Sequence, residues 1–97
     1  MAEKFTPWDS ADYLETEEDI AGYLEVVLSE GDPKLFAHAL GVAARARGMS
    51  KVARDAGISR EGLYKALSTE GNAEFATLFK VICALGLQLH IEPAAAS

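Results

Sequence analysis

The chain has 97 residues, 49% of them hydrophobic and only three of them proline, which gives one domain with a modest core and argues against a disordered polymer. Its single cysteine excludes an internal disulfide. No stretch is apolar for long enough to span a bilayer, and residues 1–6 lack the basic and apolar regions of a signal peptide, so a cytoplasmic protein with no membrane partner is expected.

A net charge of −6 argues against nucleic acid only until its distribution is read. Residues 1–33 hold ten acids and one lysine, whereas residues 45–65 hold Arg45, Arg47, Lys51, Arg54, Arg60 and Lys65 against Asp55 and Glu61. A local basic surface is what phosphates require, and the acidic remainder limits nonspecific affinity while suiting a second, basic partner.

In the first fifteen residues Phe5, Trp8, Tyr13 and Leu14 alternate with acids in a stretch too polar to make a core alone. This docking segment either covers the underside of a helical bundle or anchors a partner protein. Thr16 then opens a helix. Glu17, Glu18 and Asp19 fill its first turn, Thr16 and Asp19 approximate a capping box, and Ile20, Tyr23, Leu24, Val27 and Leu28 form its apolar stripe before Gly31 ends it. The three acids point in different directions around a helix, so capping explains them better than catalysis or metal binding.

Asp32-Pro33 starts a second helix, with proline at the position where its missing N–H does least harm. It should run to about Arg47, with Leu35, Phe36, Ala39, Leu40 and Ala43 inward, Lys34, His38, Gly41 and Arg45 opposite, and Gly48 as its stop. Arg47 projects nearer the buried side, where it can satisfy the last carbonyls of the helix.

Residues 50–68, SKVARDAGISREGLYKALS, organise the rest. They predict two short helices capped by Ser50 and Ser59, with Gly57 supplying the positive φ of a sharp reversal. Ala53 falls where two steeply crossed helices need a small side chain. Val52, Ala56, Ile58, Leu63, Ala66 and Leu67 fall where apolar groups must meet. This is a helix-turn-helix pattern.

On its second helix Arg60, Glu61, Tyr64, Lys65 and Ser68 face outward, beginning beside Ser59 at a helix start that favours phosphates. Arg60 suits guanine O6 and N7. Tyr64 suits a sugar, a thymine methyl or a phosphate, and Lys65 a phosphate; Glu61 either accepts from cytosine N4 or pairs with Lys65. Lys51 and Arg54, on the helix that crosses the backbone, join Arg45 of the basic stretch as candidates for phosphate contact. One recognition helix binds weakly, so specificity implies a homodimer with two such helices about 34 Å apart on double-stranded DNA.

The same motif, the preceding ARARGMS, the following GNAEFATLFKVICALGLQL and the earlier DSADYLETEEDIAGYLEVVLSEGD resemble the addiction-module antidote proteins. These are small DNA-binding antitoxins of type II toxin–antitoxin pairs, here of the HigA-like type. The resemblance implies a lambda-repressor-like fold. It also implies a cognate toxin, most simply a basic ribonuclease of the RelE/ParE superfamily, and repression of the antitoxin's own operon.

Asn72 should cap a last helix with Phe75, Leu78, Phe79, Ile82 and Leu85 inward and Gly86 at its end. Leu87, Leu89 and Ile91 then alternate with polar residues over 87–92, predicting a short strand that pairs with another chain, or else an extended tail on the helices. Cys83, His38 and His90 lack metal-ligand spacing, Ser50 and Ser59 have no base in view, and no glycine-rich loop matches a nucleotide site. No cofactor, metal or enzymatic activity is therefore expected.

The sequence thus predicts a single all-α domain of about five helices ending in a short strand or tail. The function expected with it is that of a DNA-binding antitoxin. The rivals are a prophage-type repressor without a toxin and a helical protein-interaction module that does not bind DNA.

Overall fold

In the computed structural model, which describes residues 14–68 and 74–94, the chain forms five helices: α1 Glu17–Leu28, α2 Pro33–Arg47, α3 Met49–Ala56, α4 Arg60–Ala66 and α5 Phe75–Ala84. The described residues contain no strand. Residues 87–94 are irregular, so the expected strand over 87–92 does not form within the single chain, where its unpaired amides have no sheet to join. Phe5, Trp8, Tyr13 and Asn72 lie outside the described residues.

Local capping explains most helix ends. The Thr16 hydroxyl accepts from the Asp19 amide at 3.1 Å while the Asp19 carboxylate accepts from the Thr16 amide at 3.1 Å, completing a capping box. Asp19 also accepts from the Glu15 amide, and these backbone donors, Thr16 first, hold its carboxyl below the ordinary aspartate value. Asp32 caps α2 by accepting from the Lys34 and Leu35 amides, with Pro33 in the first turn.

Helices α3 and α5 end alike. Gly57 (φ 77°) and Gly86 (φ 84°) take the left-handed conformation, while Ile58 and Leu87 donate back to Ala53 and Ile82, five residues earlier. This pattern satisfies the last carbonyls and turns an apolar residue back onto the core.

The central helix is α2, which packs on α1, α3 and α5. It is buried on more of its circumference than one apolar stripe requires: Ala37 and every residue from Ala39 to Ala44 are buried. Gly41, expected on the outer face, is therefore interior, with Leu67 against it. Leu35, expected inside, is 39% exposed at the start of the helix. Small side chains around α2 let its neighbours approach from several directions, and Leu40, Ile20, Leu63, Val52, Val81 and Leu85 fill the space between them.

Similarly, α5 presents Val81 and Ile82 to the core with Leu78 partly buried. Phe75 and Phe79, expected inward, stand 67% and 44% exposed with ring centroids 5.9 Å apart. Leu14 is buried in the core.

Candidate nucleic-acid interface

A single residue separates α2 from α3. Gly48, at φ 104°, ends the first helix and precedes the second, so α3 begins at Met49 and its first bond runs from the Val52 amide to the Gly48 carbonyl. Ser50 consequently lies inside the first turn and is not the N-cap the sequence suggested; α3 has no side-chain cap. Its hydroxyl is instead 3.4 Å from an Arg60 guanidinium nitrogen, a long and weak hydrogen bond.

Between α3 and α4 the reversal uses only Gly57, Ile58 and Ser59. The Ser59 hydroxyl accepts from the Gly62 amide at 2.8 Å, the cap the sequence predicts. The two helices pack against each other, with Ala53 of α3 3% exposed and Leu63 of α4 fully buried. The outward residues Arg60, Glu61, Tyr64, Lys65 and Ser68 are all exposed.

Within this face Arg60 is positioned from two sides. Its guanidinium carbon is 5.7 Å from the Tyr64 ring centroid, within cation–π range, and Ser50 approaches the guanidinium from α3. Tyr64, 46% exposed, also lines a cleft of about 340 Å³ with His38, Gly41, Arg45, Met49, Leu67 and Ser68. Arg45 of α2 is therefore brought to the α4 face. His38 arrives with it, a residue the sequence gave no functional role, although its spacing of seven from Arg45 makes two helical turns and marks a shared face.

The remaining cations divide differently. Among the described residues no acid lies within ion-pair distance of Arg45, Arg60 or Lys65, and the Glu61–Lys65 pair does not form. Lys51 and Arg54 share Asp55, at 3.1 Å and 3.9 Å. Lys51 leans into a second cleft beside Glu17 and Arg47, away from the cleft holding Arg45 and Tyr64, while Arg54 keeps a 73% exposed side chain.

Arg47, predicted to satisfy its own helix end, reaches Glu17 at 3.6 Å and ties the start of α1 to the end of α2. Glu17 also crowds Gly86, where an added Cβ would sit 2.6 Å from its Oε2.

The described residues hold no cluster of three or more His, Cys, Asp or Glu able to bind a metal, and no described helix is long and apolar enough to cross a membrane. What the α3–α4 face offers chemically is cationic and planar hydrogen-bond donors with an aromatic ring, displayed on short rigid helices.

No solved structure matches the chain. A protein of Haemophilus influenzae, described as an "Uncharacterized protein", is 53% identical over 92 residues that cover 95% of each chain. The sequence profile of the family described as "Probable addiction module antidote protein" matches residues 4–93. The chain belongs to that family of addiction module antidotes.

Proposed function

We propose that this antidote binds double-stranded operator DNA as a homodimer, with α3 and α4 acting as a lambda-repressor-like helix-turn-helix, and that it represses its own operon while neutralising a cognate toxin. The toxin half rests on the family, whose antidote description implies a toxin partner. The observation that carries the DNA half is that Arg45 and Arg60, without an acid partner among the described residues, both approach the exposed Tyr64, with Lys65 exposed on the same helix as Tyr64.

On this reading Arg60 reads a guanine edge, with Ser50 and Tyr64 restricting its rotamers before contact. Ser59 holds the start of α4 while Tyr64 and Lys65 contact sugar or phosphate. Arg45 and Arg54 meet backbone phosphates, and Lys51 joins them only by leaving Asp55. The protein acts by binding, without catalysis and without a cofactor, in the cytoplasm. A HigA-like pairing with a RelE/ParE-type ribonuclease is the form of toxin proposed.

The test is a reporter driven by the DNA upstream of the gene, combined with expression of the adjacent gene in the presence and absence of this protein. Repression of the reporter and rescue from growth arrest are expected. An unrepressed reporter removes the DNA half, and an adjacent gene whose expression leaves growth unaffected removes the toxin half.

A further inference from the structure

Away from the basic face, α1 and residues 86–92 enclose an open groove of about 660 Å³. Its floor includes Leu24, Phe36 and Leu87, all at least half-buried, and it continues onto Leu28 and Leu89, which are 54% and 41% exposed. Four acids line it: Glu17, Glu18 and Glu25 from α1, and Glu92 from the segment after α5, where His90 lies 3.7 Å away; Glu17 is already engaged by Arg47, which leaves Glu18, Glu25 and Glu92 for a ligand. No lysine or arginine lines it among the described residues.

An apolar floor inside an acidic rim recognises a segment with the opposite pattern. We infer that this groove is the docking site for a basic amphipathic segment of the toxin, whose apolar side chains enter between Leu28 and Leu89 while its lysines or arginines meet Glu18, Glu25 and Glu92. The inference rests on the antitoxin reading.

Charge complementarity selects this occupant over two others. Residues 1–13 of the chain carry three acids and one lysine, so placing them here brings like charge to like. A symmetric contact between two copies would set acidic rim against acidic rim, which is equally unfavourable. The arrangement also leaves the α3–α4 face open, so one protomer can hold toxin and DNA together. Apolar contacts set the lifetime of such a complex, and rim charges set its rate of formation and its salt dependence.

The probe is the purified product of the adjacent gene, titrated against the full-length protein and three variants by surface plasmon resonance at low and high salt. Glu25→Lys should slow association about tenfold at low salt, with the difference shrinking at high salt. Leu28→Ser should speed dissociation about tenfold. Glu30→Lys, an exposed acid outside the groove, imposes the same charge change and should leave both rates near wild type.

Circular dichroism and operator binding of each variant should match wild type, which separates a lost contact from a lost fold. Unchanged rates for Glu25→Lys and Leu28→Ser would overturn the groove and leave the antitoxin reading standing. A wild-type protein that binds nothing of the adjacent gene would overturn both. Self-association that Glu25→Lys weakens would assign the groove to a second copy, its acids meeting the other copy's basic face, and so overturn it as a toxin site.

Discussion

The α3–α4 face and the α1 groove share one core and differ in every property that selects a partner. On the first, Arg45, Arg60 and Lys65 have no described acid partner and Tyr64 stands among them; on the second, Glu18, Glu25 and Glu92 surround exposed leucines. A net charge of −6 describes neither. A small acidic protein can present a locally cationic surface when most of its acids lie on other elements, and surfaces of opposite charge favour different partners.

The largest effect should come from beneath both regions. Leu40, fully buried on the central helix, touches the common core, and Leu40→Ala should cost about 2–5 kcal/mol of stability. Urea unfolding measures the loss, and DNA binding and toxin binding should decline together with the folded fraction. A variant that lost only one activity would show that the two surfaces do not share a core.

Arg60→Ala sharpens the comparison by acting on one side. It should remove about 1–3 kcal/mol of discrimination at one base position, measured on a panel of singly substituted operators, with toxin affinity and melting temperature unchanged. Unaltered base preference would take Arg60 out of the reading role.

On the other side, Thr16→Ala removes the α1 cap and should cost about 1 kcal/mol, read as a lower urea midpoint. The same cap gives α1 a pH dependence. Because Asp19 has a lowered carboxyl pKa in the folded state, its contribution is fully present above the unfolded value of 3.8 and is lost as pH falls through the folded value. Stability should therefore fall on acidification below about pH 4, less steeply in Asp19→Asn than in wild type; identical acid limbs in the two proteins would contradict the capping role.

The smallest change expected is in the salt dependence. Arg54→Ala should reduce the slope of log K against log salt by about one while preserving sequence preference. Lys51→Ala should reduce it by less, because Lys51 is held at 3.1 Å from Asp55 and leans toward Glu17 and Arg47. Equal slopes for the two variants would show that their different surroundings do not matter.

What was legible in the sequence was what local hydrogen bonding decides. Thr16 with Asp19, Asp32 before Pro33, Ser59 and the two glycines at 57 and 86 act on amides and carbonyls within a few residues, so their roles could be read directly. Ser50 misled because the chain has no loop for it to end: Gly48 alone joins α2 to α3.

Burial was read less well where it depends on how many neighbours an element has. Helical periodicity gives α2 one inward face, yet α1, α3 and α5 enclose it and bury Gly41. The same periodicity places Phe75 and Phe79 inward, whereas Val81 takes the interior position. The basic face was visible as a cluster of cations in sequence, and so were the spacings that pair Lys51 with Asp55 and align His38 with Arg45; the meeting of that α2 face with Tyr64 of α4 is three-dimensional. The groove could not be read at all, since it brings Glu25 of α1 beside Leu89, which lies past the end of α5.

Leu14 shows the practical consequence. It ends the aromatic and acidic segment in the sequence yet belongs to the core, so a truncation designed to test that segment should stop at Tyr13.

The most direct test of the central claim is a salt titration of binding to the DNA immediately upstream of the gene, against scrambled DNA of equal length. The account predicts tight binding to the upstream DNA that weakens steeply with salt and exceeds binding to the scrambled control throughout. Equal binding to both sequences, even at low salt, would contradict it and leave the α3–α4 pair as a packing arrangement.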